Sequence, residues 1–212
     1  MSNTLPTRRH DMVPYITAYS GELETYTTPL PVRLAISSKG ITATYKDEKP
    51  EDRDAYGVLW QRAPTLPPGE RGVPRFAKVH PSRQRHACEN MLCQVCGKPA
   101  DRDVFGRVLW LLPENDFTHR KHGWVRTGNP PICSVHAPIA RVACPHLATR
   151  GARLVWAGRV LRWGYYGIDI AQPDDSPDRF TNIALASPRL STLLAGQALL
   201  LLGSLEEVTN PT

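Results

Sequence analysis

Two stretches decide how this chain reads: CQVCG at residues 93–97 and PPICSVH at residues 130–136. In the first, Cys93 and Cys96 stand three apart, and a tight turn between them brings both sulfurs to one side. Gly97 follows directly, and it permits the positive φ that lets backbone N–H groups point at sulfur. Two thiolates so placed can grip one metal. In the second stretch Cys133 and His136 repeat the spacing. With Cys133 opening a helix, the pair lies on one face of the first turn. A helix N-terminus also favours a thiolate.

Working outward, the chain has five cysteines, Cys88, Cys93, Cys96, Cys133 and Cys144, all between residues 88 and 144. An odd number, without an apolar export signal in MSNTLPTRRHDMVPYI, argues against a disulfide framework and for metal. The stretch VFGRVLWLL (residues 104–112) predicts a buried strand opened by a turn at Asp101–Asp103. Residues 113–131 form a return loop, so strand and loop suit a hairpin. Residues 133–143 predict a short helix, with Pro138 tolerable in its first turn.

Knuckle, hairpin, then a helix whose first turn supplies the last ligands is the order of a treble-clef zinc finger. Residues 91–146 resemble that class. The resemblance implies a structural Zn2+ held by Cys93, Cys96, Cys133 and His136. Three thiolates and one imidazole close a tetrahedral shell and leave no position open for catalysis. Treble clefs more often have Cys in the fourth place, so Cys144 and His146 stand as rivals for it. An iron–sulfur cluster would leave His136 without a role. Cys88 reads as a small thiol apart from the site. Four segments, CQVCG, WLL at residues 110–112, PPICSVH and CPHL at residues 144–147, also resemble uncharacterised bacterial and phage-associated zinc-binding proteins.

The rest of the 212 residues predicts an α+β, strand-rich fold with this central module and a C-terminal helix. Hydrophobic residues make up 41%, enough for a core, and 20 prolines disfavour long helices. Val32, Leu34 and Ile36, then Ile41, Ala43 and Tyr45, alternate about a turn at Ser37–Gly40, which predicts a β-hairpin. Residues 58–60 predict a short strand, and residues 80–91 a helix capped by Ser82. Residues 152–170 predict two or three short β segments punctuated by glycine. Leu190, Leu193, Leu194, Gln197, Leu200 and Leu201 are spaced for a helix over residues 189–203, ended by Gly203. A Pro/Gly linker at residues 63–74 suggests three parts. These are an irregular arm plus hairpin unit (1–74), the zinc-binding module (75–150), and a C-terminal β segment with the Leu-rich helix (151–212). The three could share one core.

Net charge is +6. Residues 71–168 carry 16 Lys/Arg against 5 Asp/Glu, and no acidic residue lies between Phe117 and Ile168. A segregated positive field attracts polyanions. Phosphate contact wants Lys and Arg, and base stacking wants an exposed aromatic. Arg120, Lys121, Trp124 and Arg126 are therefore the candidate nucleic-acid contacts. The expected function is a zinc-binding, non-enzymatic, cytoplasmic protein whose basic surface contacts nucleic acid. One alternative is an assembly factor docking a protein through residues 189–202. Another is an HNH-type metal-dependent nuclease using His119 or His122 with Asn129. No Walker loop, GxGxxG, GxSxG or carboxylate pair is present, and no run is apolar enough to span a membrane.

Overall fold

The structure, a computed structural model, describes residues 12–23, 32–37, 40–118 and 122–208. The fold is α+β and strand-rich. Its elements are β1 (Thr17–Tyr19), α1 (Ser20–Leu23), β2 (Val32–Ser37), β3 (Gly40–Tyr45), β4 (Leu59–Trp60), β5 (Pro74–Val79) and α2 (Pro81–Glu89). There follow β6 (Val108–Pro113), α3 (Glu114–Thr118), β7 (Val125–Thr127), α4 (His136–Ala143) and α5 (Pro145–Arg150). The chain then runs through β8 (Ala152–Asp169), β9 (Phe180–Ala184) and β10 (Leu193–Glu207). No helix among the described residues is long and apolar enough to cross a membrane.

The chain divides into two compact units, each assembled from separate stretches of sequence. The first takes residues 1–16, 83–162 and 199–212, and the second residues 17–82 and 163–198. Strands β8 and β10 contribute residues to both.

In the first unit β6 is buried along its whole length. It pairs antiparallel with the start of β8, from Val108 opposite Ala157 to Pro113 opposite Ala152. β7 pairs antiparallel with the end of β10, Val125 lying opposite Leu202. The core gathers Cys93, Val95, Leu109, Leu111, Ile132, Cys133, Ala137 and Ala152. Burial of these apolar groups is the main stabilising term.

In the second unit the alternating hairpin is formed, β2 against β3, from Val32 opposite Tyr45 to Ser37 opposite Gly40. β1 pairs with β5, β4 runs parallel with the start of β10, and β9 is antiparallel to the end of β8. Two carboxylates inside this unit are satisfied rather than free. Asp54 accepts from the Val58 N–H, the Trp60 indole and the Tyr165 hydroxyl. Asp169, fully buried, takes the Arg189 guanidinium and the Thr192 hydroxyl.

Four expectations need correction. The Leu-rich segment is not a helix: residues 188–192 form one 3-10 turn, and Leu193–Glu207 is strand β10. Leu193, Leu194, Leu199, Leu200 and Leu202 are all buried. A strand covered on both faces loses its alternation and reads as a continuous apolar run. Within residues 193–202 the other positions are buried too, apart from the half-buried Gln197 and Leu201. Residues 152–169 form one long strand, not two or three, because its glycines sit at close backbone approaches. A Cβ on Gly167 would lie 2.2 Å from the Leu194 carbonyl oxygen. Among the described residues the hairpin between the two ligand pairs is not made: β6 pairs with β8 and β7 with β10. Finally, the stretch read as one strand from Val104 begins at Val108, and Val104 and Phe105 are 93% and 78% exposed in a turn.

Candidate metal centre

The knuckle is shaped by its own backbone. The Cys93 N–H donates to the Lys98 carbonyl at 2.7 Å, and the Gly97 N–H to the Cys93 carbonyl at 2.8 Å. Gly97 has φ +70°, the left-handed conformation that glycine adopts without strain. The Val95 N–H points at the Cys93 sulfur at 3.4 Å. These are the geometries that a C-x2-C-G knuckle requires.

The second pair sits in the turn that opens α4. The Cys133 carbonyl accepts from the N–H groups of both His136 and Ala137, at 3.1 and 3.0 Å. Cys133 therefore precedes the helix and His136 is its first residue. Cross-links hold this turn against the knuckle. Gln94 donates through its backbone N–H to Pro131 at 2.8 Å and through its side chain to Pro130 at 3.1 Å. Asp101 accepts from the Ser134 N–H at 2.6 Å.

The result is one cluster. The ligand atoms of Cys93, Cys96, Cys133 and His136 all lie within 4.8 Å of one another. His136 Nδ1 is 2.8 Å from the Cys133 sulfur and 3.9 Å from that of Cys93. Cys93 and Cys133 are buried, while Cys96 is half-buried. The group can hold a metal ion. Cys144 and His146 are not part of it. The Cys144 backbone ends α4 and begins α5, its carbonyl accepting from Ala148, and His146 is exposed on α5.

Electrostatics favour a cation here. Burial, followed by the neighbouring sulfurs of Cys93 and Cys96, pushes the Cys133 thiol up to about 12. At neutral pH that sulfur becomes a thiolate only if a positive charge takes the proton's place. Cys88, fully buried in α2 and apart from the cluster, is also pushed up to about 12 by burial. It is an inert core thiol.

Sequence reading missed three supports. Tyr15 and Ile16 donate their N–H groups to the Val95 and Gln94 carbonyls at 2.9 and 3.3 Å. The Tyr15 ring covers Gly97, 3.0 Å from where a Cβ would stand. Asp101, read only as the start of a turn, clamps the second ligand pair. A lone Tyr in a Pro- and Thr-rich arm gives no periodic signal, and an Asp beside Arg102 and Asp103 reads as an ordinary turn.

The candidate nucleic-acid residues are placed unevenly. His119, Arg120 and Lys121 lie outside the described residues. Trp124 is half-buried. Its ring packs on Gly203, within 2.7 Å of where a Cβ would stand, and the Arg159 guanidinium lies 5.4 Å from the ring centroid. Arg126 is exposed on β7, and His122 and Asn129 are not in the metal cluster. The first unit carries 15 Lys/Arg against 8 Asp/Glu, the second 11 against 12. The positive charge thus concentrates in the unit that holds the cluster.

No protein-family model, curated protein or solved structure matches the chain.

Proposed function

We propose that the chain is a non-enzymatic, zinc-stapled binding protein. One structural Zn2+ joins residues 93–96 to the turn at residues 133–136, and the basic surface of the same unit contacts nucleic acid. The observation that carries this reading is the convergence of three sulfurs and one imidazole nitrogen within 4.8 Å, from stretches 37 residues apart at Cys96 and Cys133. A tetrahedral zinc with sulfur bonds of about 2.3 Å has sulfur–sulfur edges of about 3.8 Å, which fits inside the 4.8 Å that bounds the cluster. All four positions are filled by protein, so the ion would fix the fold and not activate water.

The order knuckle, intervening strand, helix with ligands at its start keeps the ends of the treble-clef plan while its central hairpin is replaced by long-range pairing. The likeness to bacterial and phage-associated zinc proteins fits the same residues.

Metal content by elemental analysis tests the staple. Cys93→Ser, Cys96→Ser, Cys133→Ser and His136→Ala should lose the ion, and Cys144→Ser and His146→Ala should keep it. Retention in His136→Ala with loss in His146→Ala would move the fourth ligand. Filter binding to random DNA and RNA at two salt concentrations tests the second half, since phosphate contacts weaken steeply with salt.

A second reading, a protein assembly factor stabilised by the same ion, is favoured by the Val104–Phe105 turn. The Asp103 carboxylate locks this turn by accepting from the Phe105 and Arg107 N–H groups. A rigid turn holding two exposed apolar side chains suits a protein pocket. The nuclease alternative gains no such support, because His136 belongs to the cluster.

A further inference from the structure

We propose that α4 and α5 dock the phosphate backbone of duplex nucleic acid through their exposed residues Arg141 and Arg150. This rests on the nucleic-acid reading above and narrows it to two helices and one form of polyanion.

Several arginines of the first unit are already neutralised by carboxylates. In the first unit Arg107 is paired with Asp103 and Glu206 at 2.6 and 2.5 Å. Arg153 is paired with Glu114 and lies 4.0 Å from Glu207. Arg85 is paired with Glu89 at 3.0 Å. The Asp101 carboxylate is engaged by Ser134. Most carboxylates of this unit are therefore taken up by three arginines, which carry little field outward. Arg141 and Arg150 lie in the run from Phe117 to Ile168 that has no acidic residue. Both are exposed, as is His146 between them.

The helices that carry them are well anchored. Ala137, Ala140 and Leu147 face the core beside Cys133, and α4 starts at a residue of the metal cluster. Arg141 and Arg150 are thus held on a fixed frame, so less freedom is lost on binding. The other prominent exposed feature of this unit, the Val104–Phe105 turn, is a poor seat for a polyanion. Its Arg107 is matched by two carboxylates.

The form of nucleic acid follows from what the face lacks. Residues 136–150 contain no Phe, Tyr or Trp, and the ring of Trp124 is packed on Gly203. Single strands gain much of their affinity by stacking bases on aromatic rings. A face with arginines and no ring gains only from phosphates, and a duplex presents these at the higher charge density.

The test is fluorescence anisotropy of the full chain, loaded with zinc, against random-sequence duplex DNA and against poly(dT), over a series of salt concentrations. The doubly substituted R141A/R150A protein should lower the log–log salt slope on duplex by about 1.8, roughly 0.9 for each phosphate no longer neutralised. The doubly substituted R75A/K78A protein removes two exposed charges from the second unit and should leave the slope unchanged. R141K/R150K should retain it, and this guards against a folding artefact, which metal content and circular dichroism check directly. Equal slope reductions in R141A/R150A and R75A/K78A, or none in either, overturn the surface. Binding of poly(dT) as tight as that of duplex overturns the choice of duplex. If wild type binds neither in a salt-sensitive way, the nucleic-acid reading itself falls, whereas wild-type binding with an unchanged R141A/R150A slope sinks this proposal alone.

Discussion

The Asp101 carboxylate accepts a 2.6 Å hydrogen bond from the Ser134 N–H, and so fixes the turn that carries Cys133 and His136 relative to the knuckle. Groups that orient ligands without touching the ion commonly change metal affinity by 10–100-fold. Asp101→Ala should therefore weaken zinc binding by about tenfold or more in competition with a chromophoric chelator. Asp101→Asn, whose amide oxygen can still accept, should fall between. An affinity unchanged in both variants would mean that the bonds from His136 and Ala137 to the Cys133 carbonyl hold the turn unaided.

Gly97 joins two constraints, a φ of +70° and the Tyr15 ring 3.0 Å from its absent Cβ. Gly97→Ala should destabilise the first unit by about 1–3 kcal/mol, the usual strain of a side chain held at such a backbone angle. Part of that loss comes from the ring and part from the backbone. Tyr15→Ala should then relieve some of it, and the double variant should be less destabilised than the sum of the singles. Urea midpoints of the four proteins measure this. Strict additivity would show that the ring shifts aside at no cost.

What the sequence revealed and what it hid separate along one physical line. Local geometry was legible: the C-x2-C-G turn, the Cys133–His136 spacing and the alternating hairpin at residues 32–45 each depend on neighbours a few residues apart. Long-range pairing was not. β10 lies among other strands with both faces covered, so its leucines carry no period of two, and their spacing happened to match a helix. The glycines of β8 looked like punctuation, but Gly167 is there because the Leu194 carbonyl passes within 2.2 Å of where its Cβ would be. Trp124 followed by Arg126 looked like a stacking platform. Its packing against Gly203, nearly 80 residues on, leaves no trace in local pattern.

The strand assignment of β10 has a consequence that a helix would not share. Leu199 and Leu200 are consecutive, and both are buried, at 7% and 3% exposure. In a strand they point to opposite faces, so both faces must be packed. Leu199→Ala and Leu200→Ala should each cost about 2–5 kcal/mol, the range for truncating a buried leucine. On an amphipathic helix with a stripe through Leu193, Leu194, Leu200 and Leu201, Leu199 would lie off the stripe and tolerate the change. Chemical denaturation of the two variants decides between these, and a near-neutral Leu199→Ala would count against the strand.

Acid sensitivity of the second unit should centre on Asp52 and Arg62. The Arg62 side chain donates to Asp52 from Nε at 2.8 Å and from Nη2 at 2.6 Å, and the Lys49 N–H donates at 2.7 Å. The Arg62 hydrogen bonds, against an opposing push from burial, hold the Asp52 carboxyl below the usual carboxylate range. Its folded pKa is thus lower than the roughly 3.9 of an unfolded Asp, and below that value the unfolded chain binds the extra proton. The stabilisation is complete above the unfolded pKa and is lost as pH falls through about 4 towards the folded value. Asp52→Asn removes the titrating group but keeps an acceptor, so urea midpoints of the variant should be lower than wild type at neutral pH and converge with it in acid. The Arg62 guanidinium also lies 4.1 Å from the Tyr45 ring centroid, a contact that carries no group titrating in acid. A constant gap between the two curves down to low pH would assign the acid loss to other pairs, such as Glu48 with Arg53.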